Sequence, residues 1–233
     1  MKIVFDSGVL ITFSESCFMS LFRSLKEKLG DFIITKSVHY ECIGKVEHIM
    51  RFKLSALRIE DVIDTQIFEV YEGSQKLDKA TKEIMDLTNN MFYIRGKPLK
   101  IIQIGEAESL ALLGLTEANY LAVDERTTRM LVEQPHGLIH IFKRKYKTGN
   151  IKFDENKYLR FKELIGNVNA IRSVDLFAYA QKQKLLTDKF DDSGNVKAAM
   201  FAMKFKGCSV SFEEINEYVS ELWKLLRKIK LIL

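Results

Sequence analysis

The sequence predicts an α/β protein built on a central parallel β-sheet. Three short apolar runs, each next to a segment of helical spacing, carry this prediction; they cover residues 2–5, 32–35 and 120–123. Strands that alternate with helices pair in parallel and are covered by helices on both faces. The chain has 233 residues, 47% of them hydrophobic, which is enough for a sizeable folded core and excludes wholesale disorder.

Periodicity and punctuation residues predict the elements in chain order. They are a strand at 2–5, a helix at 14–29 stopped by Gly30, a strand at 32–35, a helix from Ser37 to about residue 52, a strand or short helix at 58–64, a helix at 78–87, a turn at 95–98, a helix from Gly105 to about residue 117, a strand at 120–123, and helices at 126–133, 173–185 and 197–206. Ser211 and Glu214 then form a capping box, which predicts a last helix with an apolar stripe through Phe212, Ile215, Val219, Leu222 and Leu226.

The net charge of +5 is concentrated in one segment. Residues 143–162 contain eight basic and two acidic side chains, so the rest of the chain is close to neutral. Two apolar runs, 138–142 and 151–153, flank the Thr148-Gly149-Asn150 turn, which predicts a β-hairpin on a projecting basic arm. Such an arm is a candidate contact for a polyanion, and a merely solvated surface is the alternative.

Several classes of protein are excluded by composition. The longest stretch without a charged residue is Gln134–Phe142, far shorter than the roughly 20 apolar residues of a spanning helix, so we expect no membrane segment. Asp6 interrupts any signal-peptide core, and a cytoplasmic protein is expected. Three scattered cysteines favour neither a disulfide framework nor a zinc site.

Four acidic side chains stand at positions that a parallel sheet brings to one edge. Asp6 and Asp124 follow predicted strands, Glu41 lies in the helix after the second strand, and Glu106 opens the helix before the strand at 120–123. Ligands bind outside the carboxyl ends of parallel strands, and clustered carboxylates favour hard cations such as Mg²⁺ or Mn²⁺. Each acid taken singly has a structural alternative, as a turn residue, a helix-dipole partner or half of a surface ion pair.

Four blocks of sequence resemble the PIN-domain proteins, in particular a prokaryotic and archaeal subgroup with a Gly-Glu-Ala-Glu helix and an Asp-Glu-Arg strand end. The blocks are Ile3–Ile11, Ile33–Glu41, Gly105–Leu112 and Leu121–Arg129. The resemblance covers about residues 1–134. It implies an α/β/α sandwich with a metal-dependent ribonuclease site, in which Asp6, Glu41, Glu106 and Asp124 ligate one or two Mg²⁺ or Mn²⁺ ions.

The resemblance also suggests supporting roles and leaves one alternative open. Glu108 is the second choice to Glu106, because two residues along a helix turn the side chain by about 200° and only one faces the site. Ser7 is expected to position a ligand or water, and Arg126 and Arg129 to form ion pairs or contact phosphate. The chain departs from the family at Gly8, where Asn or Ser is common, and over residues 50–104, which do not align.

These expectations divide the chain into three parts. They are a PIN-like catalytic core at 1–135, a basic insertion at 136–170 and a C-terminal helical region at 171–233 packing on the core. The function expected is a metal-dependent endoribonuclease with RNA as its partner, held by Lys143, Arg144, Lys145 and Lys147, and an antitoxin or a second copy of the chain as a possible further partner. The alternative is a catalytically silent RNA-binding or assembly module. Phosphoryl transfer on Asp6 is disfavoured because residue 8 is Gly rather than Asp. A nucleotide-binding function is disfavoured because no Gly-rich phosphate loop follows a strand.

Overall fold

A computed structural model describes the backbone of residues 1–230 and the side chains of residues 1–221. Its centre is a five-stranded sheet in the order β3-β2-β1-β6-β8, with every neighbouring pair parallel. The strands of this sheet are β1 (Lys2–Phe5), β2 (Asp31–Thr35), β3 (Phe68–Tyr71), β6 (Tyr120–Ala122) and β8 (Asn169–Ile171). A smaller antiparallel sheet, β5-β4-β7, consists of β4 (Phe92–Ile94), β5 (Lys97–Pro98) and β7 (Ile151–Phe153).

Helices surround the central sheet. They are α1 (Ser7–Glu15), α2 (Leu21–Leu29), α3 (Lys36–His39), a π-helical turn (Tyr40–Gly44), α4 (Met50–Asp64), α5 (Gln75–Asn89), α6 (Ile104–Thr116), α7 (Arg126–Glu133), α8 (Pro135–Tyr146), α9 (Glu155–Ile165), α10 (Ser173–Lys182), a 3-10 turn (Asp188–Asp191), α11 (Ser193–Phe205) and α12 (Phe212–Lys230).

Side chains of β1 point alternately into two hydrophobic cores, one on each face of the central sheet. Ile3 and Phe5 face a core shared with α1, α2, α4, α10 and α11, whereas Val4 faces a core shared with α5 to α9. Successive strand residues point to opposite faces, so a strand buried on both sides reads as a continuous apolar run. The predicted α/β class and central parallel sheet are therefore confirmed, as a three-layer α/β/α arrangement.

The predicted basic hairpin is wrong. Residues 135–146 form helix α8, and β7 pairs antiparallel with β4 rather than with residues 138–142. Pro135 occupies the first turn of the helix, where its missing N–H costs nothing, and Leu138 and Phe142 are buried one turn apart. The short apolar run at 138–142 fits a strand or a helix face equally well. The strand that pairs with β7 is β4, which lies about 60 residues earlier in the sequence.

The 136–170 segment is also part of the core and not a projecting arm. Phe142 and Phe153 pack on Phe92, with ring centroids 5.2 and 4.8 Å away. Helix α9 approaches α6 so closely that a Cβ on Gly114 would lie 2.1 Å from the carbonyl oxygen of Leu164. The central sheet likewise continues past residue 135, because its edge strand β8 comes from residues 169–171.

Several predicted elements are confirmed and others are corrected. The strands at 2–5, 32–35 and 120–123 and the helix at 126–133 are present within a residue or so. Of the helix predicted at 14–29, only residues 21–29 form α2. Residues 14 and 15 end α1, which was not predicted, and Cys17 between the two helices has a left-handed φ of 63°. The helix predicted from Ser37 ends early in the π-helical turn, and 58–64 belongs to helix α4.

The C-terminal helix begins as the sequence predicts. Ser211 Oγ accepts the Glu214 N–H, and Glu214 Oε2 accepts the Ser211 N–H, at 3.0 and 2.7 Å. Ile215 is buried in the first core. The side chains of Leu222 and Leu226, which continue the predicted apolar stripe, lie outside the described residues. Among the helices that the structure describes, none combines the length and apolarity needed to cross a bilayer.

Candidate active site

The topological switch of the central sheet lies between β1 and β6. The chain winds from β1 to β2 and β3 on one side, and then returns to β6 and β8 on the other. Helices on opposite sides of such a point leave a crevice at the carboxyl ends of the two strands. Asp6 follows β1 directly, and Asp124 follows β6 by two residues.

Asp6 is a buried carboxylate with a structural task. It is the N-cap of α1, and its Oδ2 accepts the Gly8 N–H at 3.2 Å. The pKa of Asp6 is raised to about 7, first by burial and then by the negative charges of Glu106 and Glu41. A capping aspartate is normally stabilised in its charged form, so the raised pKa shows that desolvation and like charge outweigh the cap.

Glu41 reaches the same place from the π-helical turn. Its Oε2 accepts a hydrogen bond from Ser7 Oγ at 2.8 Å. Gly105 at the start of α6 lies against this carboxylate: a Cβ there would be 2.8 Å from Glu41 Oε1. Such π-helical turns are frequent at functional sites, because the inserted residue redirects a side chain.

Glu106 is fixed by two donors. Its Oε1 accepts a hydrogen bond from Thr128 Oγ1 at 2.5 Å, and its Oε2 accepts the Gln103 N–H at 2.7 Å. Its pKa is nevertheless raised, above all by burial and then by the charges of Glu125 and Glu41. Of the two candidates, Glu106 lies close enough to Asp6 for its charge to help raise the pKa of Asp6. Glu108 Oε2 is buried and has no hydrogen-bond partner among the described residues.

Asp124 is held by the first residue of helix α10, which begins two residues after the neighbouring strand β8 ends. Its Oδ1 accepts the Ser173 N–H at 2.8 Å and its Oδ2 accepts a hydrogen bond from Ser173 Oγ at 2.6 Å. Gly8 separates it from the first carboxylate: a Cβ on Gly8 would lie 3.4 Å from Asp6 Oδ2 and 3.7 Å from Asp124 Cβ. All four predicted acids thus border one crevice, with Asp124 turned toward Ser173.

Two buried thiols lie beside the carboxylates. Burial, and then the charges of Asp6 and Glu41, raise the pKa of the Cys42 thiol well above its usual range. The pKa of the Cys208 thiol is raised in the same way, first by burial and then by the charge of Asp124. Thiols kept protonated are poor metal ligands and nucleophiles, so the acidic oxygens remain the available ligands.

Within the described residues, the predicted supporting cations form no ion pair with the four acids. Arg129 is half-buried and pairs with Glu133, its Nη1 3.7 Å from Oε2, rather than with an acid of the crevice. Arg126 is exposed at the start of α7. The four basic side chains predicted to bind RNA are exposed in the last turn of α8 and just beyond it; they are Lys143, Arg144, Lys145 and Lys147.

Residues that the sequence prediction did not assign hold the acids in place. Thr128 positions Glu106 and Ser173 positions Asp124. Thr128 lies inside the Asp-Glu-Arg block, where a hydroxyl one turn after the acid was a usable signal. The sequence prediction gave Ser173 no contact with the acids, because that contact depends on β8 joining the sheet beside β6.

The donor set suits a hard cation, but its present arrangement is incomplete. Carboxylate oxygens are the ligands that Mg²⁺ and Mn²⁺ favour. Within residues 1–221, no group of three or more His, Cys, Asp or Glu side chains is arranged to hold a metal ion. Ser7, Thr128 and Ser173 each occupy an oxygen that a shared cation would need.

No protein-family model, curated protein or solved structure matches this chain. The chemistry of the crevice therefore rests on its own residues.

Proposed function

We propose that this chain is a metal-dependent endoribonuclease that hydrolyses phosphodiester bonds in the crevice between β1 and β6. One observation carries the proposal: Glu106 and Glu41 lie close enough to buried Asp6 that their negative charges add to the effect of burial, and together these raise the pKa of Asp6 to about 7. Like charges gathered in a buried place are costly, and a bound cation would offset that cost. The PIN-like order of the four acidic blocks supports the same activity.

The four carboxylates would hold Mg²⁺ or Mn²⁺ as a shared set. When bound, such ions activate water and stabilise the leaving oxygen of a phosphodiester. The side chains supply the rest: Ser7 and Thr128 orient Glu41 and Glu106 by hydrogen bonds, and Ser173 fixes Asp124. Binding would require rotation of these carboxylates toward one point, which long Glu side chains allow.

A silent RNA-binding or assembly module is the second candidate. It is favoured by one observation, the hydrogen-bond donor that each of the four carboxylates already has within the chain. Carboxylates satisfied in this way stabilise a fold without any cation. This candidate shares the fold and the exposed basic side chains with the nuclease, and differs only in turnover.

The two candidates are separated by cleavage of labelled RNA. A panel of single-stranded and structured RNAs would be incubated with the wild-type protein in Mg²⁺, Mn²⁺ or EDTA. The matched variants are Asp6→Asn and Asp31→Asn; Asp31 is an exposed acid at the opposite end of the neighbouring strand β2. The nuclease predicts cleavage that requires metal, is lost in Asp6→Asn and persists in Asp31→Asn. RNA binding without cleavage in any metal would favour the silent module.

A further inference from the structure

The small sheet β5-β4-β7 presents one open face. Tyr93 in β4 is paired with Lys152 in β7 and with Pro98 in β5, so these three side chains share a face. The opposite face is buried, because Phe92 and Phe153 pack in the second core. The outward face thus combines an aromatic ring with a cation at its centre.

A pocket of about 660 Å³ opens on this face. It is lined by Tyr93, Arg95, Gly96, Asn150 and Lys152, with no acidic side chain among them. Lys157 adds a third cation: its Nζ donates to Tyr93 Oη at 3.1 Å and lies 5.6 Å from the ring centroid. Within the described part of the chain, neither Arg95 nor Lys152 forms an ion pair.

The turn between β4 and β5 holds one of these cations in an unusual backbone. Arg95 and Gly96 both have left-handed φ, 50° and 77°, in the two-residue connection between Ile94 and Lys97. Such hairpin turns favour Asn-Gly, and a long side chain at the first position is less favourable. The conformation of the turn therefore does not favour arginine at position 95. Arg95 is exposed and lines the pocket.

A short segment, residues 99–103, connects the small sheet to helix α6, which carries Glu106. The segment between β5 and α6 is braced by Asn89, whose Oδ1 accepts the N–H groups of Ile101 and Ile102 and whose Nδ2 donates to Ile102 O. Gly96, which lines the pocket, lies ten residues before Glu106, so their Cα atoms are separated by at most about 36 Å. A single strand bound at the pocket would have to cover at most that distance to reach Glu106.

We propose that this pocket is a binding site for single-stranded RNA. For its substrate class, the proposal rests on the nuclease function proposed above. Arg95 and Lys152 would contact phosphates, and Tyr93 would stack on an unpaired base. Basic side chains around an aromatic ring are the usual means of holding a single strand, and the pocket has the volume of an ordinary small-ligand site. A duplex keeps its bases stacked inside and offers none to Tyr93.

Binding measured in EDTA tests this site independently of cleavage. Fluorescently labelled single-stranded RNA would be titrated with the wild type, with Arg95→Glu/Lys152→Glu, with Tyr93→Leu, and with Lys28→Glu as a charge control. Exposed Lys28 belongs to α2, which packs on the other face of the central sheet. We expect Kd to rise about tenfold or more in the double variant and severalfold in Tyr93→Leu, with little change in Lys28→Glu.

The salt dependence of binding identifies the contacts. Each lost phosphate contact on a single strand reduces the slope of log K against log salt by about 0.7, so the double variant should lose about 1.4. Equal Kd values for the double variant and the wild type would overturn the proposal. Equal weakening of RNA binding by Lys28→Glu would overturn it as well. The proposal would also be overturned if the protein bound anionic lipid vesicles through Arg95 and Lys152 while its binding to RNA did not depend on these two residues. RNA binding at this site without any cleavage would instead refute only the nuclease.

Discussion

Ser173 holds both oxygens of Asp124. Its backbone N–H donates to Oδ1 at 2.8 Å and its hydroxyl to Oδ2 at 2.6 Å. The two residues are 49 positions apart and meet because β8 lies beside β6. The Asp124 carboxylate is therefore oriented by the start of helix α10, which the acidic sequence motifs do not include.

Removing the Ser173 hydroxyl should loosen Asp124. Ser173→Ala deletes one of the two hydrogen bonds and leaves a buried carboxylate oxygen without its donor, which costs about 1–3 kcal/mol of unfolding free energy. We expect a lower denaturation midpoint and about a tenfold loss of RNA cleavage, measured by urea unfolding and initial rates. Ser24→Ala on α2 is the control; unchanged cleavage by Ser173→Ala would contradict a positioning role.

Asp6→Asn should stabilise the fold at neutral and alkaline pH. The folded pKa of about 7 lies above the ordinary value of 3.8, so the folded state binds a proton that the unfolded state has released. Wild-type stability should therefore fall as pH rises from about 4 to about 7. Asn keeps the helix cap without the charge. We expect about 2–4 kcal/mol more stability at pH 8 than in the wild type.

Urea unfolding from pH 4 to pH 8 measures this difference. The advantage of Asp6→Asn should shrink to a small remainder at pH 4, where the wild-type carboxyl is protonated in the folded state and about half protonated in the unfolded state. A variant that is less stable than the wild type at pH 8, or a difference that does not change with pH, would show that Asp6 is not a buried charge in conflict with Glu106 and Glu41.

Gly105→Ala should separate stability from activity. The added Cβ would meet Glu41 Oε1 at 2.8 Å, the mobile end of a long side chain, which can move aside. Alanine favours the helix by up to about 1 kcal/mol over glycine, so the stability of the protein should be nearly unchanged. RNA cleavage should fall at least about tenfold because Glu41 is displaced. Gly149→Ala in an open loop is the control; full activity in Gly105→Ala would place Glu41 outside the reaction.

Divalent cations should stabilise the wild type. A ligand that binds only the folded state adds about 2.7 kcal/mol at 100 times its Kd. We expect Mn²⁺ or Mg²⁺ to raise the thermal midpoint of the wild type and of Asp31→Asn, with little or no effect on Asp6→Asn or Glu41→Gln. Differential scanning fluorimetry with and without EDTA measures the shifts. Equal shifts in all four proteins would indicate binding elsewhere on the surface.

Local sequence predicted the elements whose signals are short-range. The apolar runs at β1, β2 and β6 marked buried parallel strands, and the acids that follow them were expected at one edge of the sheet. The Ser211–Glu214 capping box was predicted correctly because both partners lie within one turn. Glu106, the preferred candidate, acts on Asp6 through its charge, and the choice of Glu106 over Glu108 as a metal ligand stays a prediction.

Tertiary structure decided the features that depend on distant partners. An apolar run of five residues became helix α8 and not a strand, because its buried face had Phe92 to pack on and the β7 strand had β4 to pair with. Strand pairing likewise brought Ser173 to Asp124, and helix packing brought Gly105 to Glu41. The sequence alone determined which residues are acidic, apolar or cap-forming. Their protonation and orientation were decided only by folding, because burial and neighbouring charges act through space between segments that are remote along the chain.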